Sequence, residues 1–429
     1  MAALPSIPWL VHRQESPWCR TALAQDISLQ GAVEAIETQL SSVGEADLAL
    51  VFASSAYASD LPRLMPLLQR RLSARHWLGC LGGGVIGTKG GNSRPGEAHE
   101  CEHAPALSVT LLRLPGAELH TFQLDPGELP DLDGPAEPWR QQLGSTVEAT
   151  RSLLLLVDPG CSAINDLISG LDYAFPQAAK LGGIAVQHSA PHPSLLLGDQ
   201  VCGGAVGCSI GGSWSLQPVV AQGCRPIGPV LEVEQAQRNV LLQVSRGEQR
   251  HSPVAALQQI LTGLTPEERE KAQHALFLGV GHQAFPLNPL GGPDPLAENS
   301  APFLVRNLIG VDPRNGAVAV GDRMRVGQKV QFQLRDADAS RQESRQLLHR
   351  LAKQEPDPLL GLLFACLGRG QGLYGQPDGD VSLCREAFPS LPISGVFCNG
   401  EIGPLGGSTH LHGYTASWAF LVADPVAPS

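Results

Sequence analysis

The sequence predicts an α/β protein, a layered α/β sandwich of two related halves with repeated βαβ units and mixed sheets. Three observations carry this. One pattern of apolar run, amphipathic stretch, second apolar run and Gly-rich turn occurs three times along the chain, and each occurrence reads as strand, helix, strand. Long apolar runs at 106–114 and 414–422 read as further strands, so that one sheet meets another. The breaker-dense stretch Cys224-Arg225-Pro226-Ile227-Gly228-Pro229 marks a junction near Gln222 to Val230, after which a new element begins.

The first copy opens with Leu48-Ala49-Leu50-Val51-Phe52-Ala53, short and apolar enough for a buried strand. Ser59 or Asp60 can cap a helix whose Leu61, Leu64, Met65, Leu68 and Leu72 fall on one face. Trp77-Leu78-Gly79-Cys80-Leu81 returns as a strand into Gly82-Gly83-Gly84. In the second copy Leu153 to Val157 meets the turn Asp158-Pro159-Gly160. Ile164, Leu167, Ile168 and Leu171 line the helix, and Gly182 to Val186 returns. The third runs from Leu359 to Cys366, through a shorter helix near Leu383 to Phe388, and back through Pro392 to Cys398 into Asn399-Gly400-Glu401. Parallel strands joined by a helix need a covered sheet face. The small residues in the returning strands fit either close approach of a ligand or backbone, or tight packing within the sheet.

After the breaker, Val254, Leu257, Ile260, Leu261 and Leu264 are in helical phase, and Thr265-Pro266-Glu267-Glu268 has the form of a capping box. Leu276 to Gly281 reads as a strand. The Pro- and Gly-rich loop reaching Glu298 to Pro302 is placed to move over a pocket.

Composition narrows the function. Against 30 Lys and Arg stand 41 Asp and Glu, a net charge of −11 without a basic block. Nucleic acid and anionic membrane both require clustered positive charge, so neither is an expected partner. No uninterrupted apolar run is long enough for a membrane helix, and Met1 to Gln30 lacks the charge and apolar pattern of a signal peptide. Ten scattered cysteines without a C-x-x-C pair predict reduced thiols and a cytoplasmic location.

Three literal motifs fail on context. Gly82, Gly84 and Gly87 satisfy G-x-G-x-x-G but open no helix, so they lack the phosphate-binding dipole. His99-Glu100-Cys101-Glu102-His103 satisfies H-E-x-x-H, yet Pro95-Gly96 and Pro105 bracket it, which predicts a solvated acidic loop. Gly207-Cys208-Ser209-Ile210-Gly211 satisfies G-x-S-x-G but continues as strand or turn, where a nucleophile elbow leads into a helix. No cofactor and no metal site is expected.

Six residues of the C-terminal half are candidate ligand contacts: Cys366, Arg369, Arg335, Asn399, Glu401 and His412. Cys366 ends an apolar run and is followed by the glycine-flanked Arg369. A thiol and a guanidinium at a strand end suit a carboxylate ligand, while the plainer reading is a packed cysteine and a structural ion pair. Arg335-Asp336 is either a further carboxylate contact or a loop-ordering pair. Asn399-Gly400-Glu401 offers turn amides and an acceptor for an ammonium group, or serves only the turn. His410-Leu411-His412 places two imidazoles on one face of a strand, and His412 is expected to hydrogen-bond in the core. An enzyme using Cys366 with a histidine base, and a scaffold for protein partners, are the competing classes.

The chain resembles the FIST family (F-box and intracellular signal transduction proteins). The resemblance rests on Arg225-Pro226-Ile227-Gly228-Pro229, Leu308-Ile309-Gly310-Val311-Asp312-Pro313, Val330 to Asp336, Leu363 to Gly370, Asn399 to Pro404 and Leu411 to Ala416, in that order. Asp47 to Phe52 and Gly79 to Gly87 are similar to the family's N-terminal domain. The resemblance implies an N-terminal domain at 25–224 and a C-terminal one at 225–423. Together these imply a non-catalytic sensory protein in intracellular signal transduction, binding an amino-acid-like or other small polar metabolite. The short stretches outside these domains leave no room for an F-box or a fused output domain, so a separate signalling protein is the expected recipient.

Overall fold

The computed structural model describes residues 16–41, 43–90, 97–281, 303–355 and 357–424. The loop at 298–302, expected above to move over a pocket, and residues 1–15 lie outside these residues. Three six-stranded mixed sheets and one further sheet of eight strands make up the architecture.

The three βαβ copies are the centres of three structural repeats. In the first sheet the order is Trp18–Gln25, Ala106–Arg113, Ala46–Ser54, Ala74–Gly82, then the short pair Leu195–Leu197 and Gln200–Cys202. The second follows the same plan: Ala117–Leu124, Ala205–Gly212, Ser152–Val157, Ala179–Ile184, then Glu401–Leu405 and Ser408–His412. So does the third: Trp214–Ala221, Ala416–Ala423, Leu360–Cys366, Ile393–Cys398, then Val85–Thr88 and Ala98–Cys101. The middle pair of each sheet is parallel and the rest antiparallel.

The last two strands of every sheet come from another repeat. The hairpin of the first repeat completes the third sheet, with Ser394 opposite Gly87. That of the second completes the first, with Leu195 opposite Cys80. That of the third completes the second, with Glu401 opposite Gly183. The exchange is cyclic, so backbone hydrogen bonds tie the first repeat to the third.

Equivalent positions match in chemistry. Gly79, Gly182 and Gly395 stand opposite Val51, Leu155 and Leu363. A Cβ on any of the three would run into the carbonyl oxygen of its opposite residue. The glycines in the returning strands therefore serve tight packing within the sheet. One residue further along, Phe52, Leu156 and Phe364 enter a central core drawn from all three sheets. The rings of Phe52 and Phe364 meet edge to face at 6.2 Å between centroids. Each such side chain contributes about 1.5–3 kcal/mol by leaving water. The helices cover the outer faces: Leu29–Leu40 and Leu61–Gln69 on the first sheet, Ile164–Ala174 on the second, Ala337–Gln354 and Gly379–Ala387 on the third.

Between Trp214–Ala221 and Leu360–Cys366 the chain forms an inserted barrel. Its strands close in the order Lys329–Arg335, Leu231–Gln237, Val240–Arg246, Ala317–Val320, Phe303–Asp312 and Leu276–Gly281, which pairs back to the first. Helix Pro253–Thr262 is capped by Ser252, and the capping box of Thr265 and Glu268 starts helix Pro266–Ala272.

One expectation is corrected. The stretch around His99 is no solvated loop: Ala98–Cys101 is a strand, and Glu100 is buried within it. Pairing to Val85–Thr88 and contact with helix Gly379–Ala387 bury a carboxyl that its acidic neighbours made look exposed.

Candidate functional site

Strands Leu360–Cys366 and Ile393–Cys398 run parallel and end side by side, with Cys366 opposite Cys398. Open α/β sheets take ligands at this carboxyl edge. Beyond Cys366 the chain turns through Leu367-Gly368-Arg369. Beyond Cys398, Asn399 and Gly400 lead into Glu401–Leu405, which crosses to the second sheet.

Glu401 is the focus of this edge. It is fully buried, and burial pushes its carboxyl well above the usual range. Oε2 accepts from the Thr415 amide at 3.2 Å, while Oε1 has no hydrogen-bond partner among the described residues. A buried carboxyl oxygen left unpaired is costly and calls for a reason. The Cys366 thiol, half-buried, lies within hydrogen-bond reach of this carboxyl, and with the Thr415 and Gly400 amides it works against the upward push of burial. Burial and then the neighbouring Glu401 push that thiol up to about 11.

Tyr414 closes one side. Its φ of 63° is left-handed, a strained conformation for an aromatic residue. Its ring packs on Phe277 at 4.6 Å between centroids, and the Arg335 guanidinium lies 4.9 Å from the ring centre. Arg335 also donates from Nη1 to the Gly368 carbonyl at 2.9 Å, so it links the barrel to the loop after Cys366. Asn399 is exposed; its amide N–H donates to the Ile184 carbonyl, and its side chain makes no hydrogen bond among the described residues.

Arg369 takes the structural role. Its Nε and Nη2 donate to the two Asp380 oxygens at 2.8 and 2.7 Å, and Nη2 also reaches Tyr374 Oη and Ser340 Oγ. Nη1 donates to the Tyr414 carbonyl at 3.2 Å. Every guanidinium nitrogen is engaged, leaving no fork for a ligand carboxylate. What the Arg369–Asp380 pair does is hold Tyr414 and the loop in place. His412 is buried with Nε2 3.0 Å from the Gly403 carbonyl, the core bond expected of it. The edge thus brings together Cys366, Glu401, Asn399 and Arg335, with Arg369 and His412 as supports.

Sequence reasoning missed Asp380, Tyr374 and Tyr414. Nothing in the local pattern of Asp378-Gly379-Asp380 marks one acid as buried, and a left-handed tyrosine has no sequence signal of its own. No group of three or more His, Cys, Asp or Glu among the described residues is arranged to hold a metal ion.

Residues 47–246 match the FIST N domain and residues 253–404 match the FIST C domain. The chain belongs to the FIST family. An uncharacterized Mycobacterium tuberculosis protein is 32% identical over 392 residues, 88% of this chain and 92% of that protein. An uncharacterized Mycobacterium bovis protein is 30% identical over 420 residues, covering 95% and 98%. Human F-box only protein 22 is 44% identical over 45 residues, 10% of this chain and 11% of that protein. The FIST family is associated with signal transduction. Its two domains share sheets here: strands of the N domain complete the third repeat, and strands of the C domain complete the second. No helix among the described residues is long and apolar enough to cross a membrane.

Proposed function

We propose that this FIST protein is a non-catalytic sensor that binds a small polar, amino-acid-like metabolite at the carboxyl edge of Leu360–Cys366 and Ile393–Cys398. The observation that carries this reading is the unpaired Oε1 of Glu401, buried beside a half-buried thiol and a strained tyrosine. A ligand ammonium supplies the missing donor, and the exposed side chain of Asn399 supplies a second polar contact. Entry requires the Cys366–Arg369 turn and Tyr414 to part, which couples occupancy to the barrel through Arg335. The family's association with signal transduction supports a separate signalling protein as recipient. Ten free cysteines support a reducing, cytoplasmic setting. A thiol raised to about 11 stays protonated near neutrality, which supports a packed Cys366 over a nucleophile.

The test is a thermal-shift screen of amino acids and small amines, with Glu401→Gln in parallel. Binding a cation requires ionised Glu401, so affinity rises with pH as this raised carboxyl gives up its proton. The expected result is a stabilising amine whose effect grows with pH and vanishes in Glu401→Gln. An equal response in the variant, or none across the library, refutes the reading.

A further inference from the structure

Away from this edge, the inserted barrel carries a cleft of about 360 Å³ where helix Pro253–Thr262 crosses the strand ends. The volume is at the lower end for small-molecule sites. The floor is apolar, formed by the buried Leu231 and Ala256 with Ile260 alongside. Gly228, at φ +74°, shapes one corner, because a Cβ there would press into Ile260.

The rim is polar and its side chains are unused. Arg246, Gln249, His251 and Gln259 line the cleft, and none of the four side chains has a hydrogen bond or ion pair among the described residues. Arg246 stands opposite Gln249 in the hairpin register, so the two side chains share a face. The two acids on the adjoining strand are already engaged, Glu232 by Lys329 and Glu234 by Arg250 at 3.3 Å and Ser245 at 2.7 Å. In a chain with a net charge of −11, an unpaired guanidinium over an apolar floor is selective for an anion with an apolar part.

We propose that this cleft is a second binding site, for a small carboxylate bearing an aliphatic or aromatic group. The carboxylate sits on Arg246 and Gln249, with Gln259 or His251 completing its hydrogen bonds, and the apolar group covers Leu231 and Ile260. Rigid walls support it: the hairpin is paired through Arg246 and Gln249 and through Val244 and His251, and Ser252 caps the crossing helix.

The experiment is calorimetric titration of the full chain with hexanoate and phenylacetate, against hexylamine and hexanol as controls of equal length. The carboxylates bind and the controls do not. Arg246→Gln weakens binding by about tenfold or more, the loss of a charged hydrogen-bond donor. Gln259→Trp, on the exposed side of the helix, fills the cleft and removes binding while the melting temperature stays the same. Glu401→Gln leaves binding unchanged, which separates this site from the sensory edge. The proposal is overturned if neither carboxylate binds at about 10 mM, a limit set by millimolar affinity, if hexylamine binds as well as hexanoate, or if Arg246→Gln binds as tightly as the parent.

Discussion

Replacing Asp380 by Asn isolates what Arg369 does. Both side chains are essentially inaccessible, at 0% and 1% exposure, and the carboxylate takes two bonds from the guanidinium at 2.7 and 2.8 Å. The variant keeps the shape but leaves the buried cation without its counter-charge. Removing one partner of a buried pair costs about 3–5 kcal/mol. Unfolding entropy of roughly 2.1 cal/mol/K per residue, taken over 429 residues, converts this to a fall of about 3–6 °C if the chain melts as one unit. The assay is scanning calorimetry, with urea unfolding as a check on the free energy. Arg369→Met combined with Asp380→Leu recovers much of the loss, because an apolar pair of similar volume replaces a charged one. A melting temperature unchanged within about 1 °C, together with lost ligand response, would refute the structural assignment and return Arg369 to the ligand.

Two further predictions follow from the interlocked repeats. Burial, then the nearby Asp380, raises Glu100 from 4.5 to about 8, and its Oε1 accepts from the Val381 amide. An acid raised on folding stabilises most while protonated; that contribution is complete below about 4.5 and is lost as pH rises through about 8. Glu100→Gln keeps the acceptor, so its stability advantage over the parent is small at about pH 5 and grows to a few kcal/mol by about pH 9 in urea titrations; a pH-independent difference contradicts this. Gly182→Ala drives a Cβ into the Leu155 carbonyl, and the expected outcome is a melting temperature several degrees lower with loss of soluble protein. Wild-type melting would show that the parallel pair has room there.

The three βαβ units were legible because each is local: Leu61, Leu64, Met65 and Leu68 repeat at helical spacing between two apolar runs, and all are buried. The capping box at Thr265 was legible for the same reason. The candidate edge was partly legible, since Cys366, Asn399 and Glu401 follow the strand ends directly. The role of Arg369 was not, because its partner Asp380 has nothing in the sequence to distinguish it from the half-buried Asp378 and the exposed Glu386 near it. Nor was the burial of Glu100, which depends on a helix some 280 positions away.

By itself the sequence determined the α/β class, the three strand–helix–strand units and the strand ends that carry polar groups, since periodicity and turn chemistry act over a few residues. Tertiary structure alone decided the cyclic exchange of hairpins, the closed barrel and the burial of Glu401 and Arg369. Strands as short as Leu195–Leu197 carry too little pattern to name a partner, and whether a charge is buried or solvated depends on what the rest of the chain packs against it.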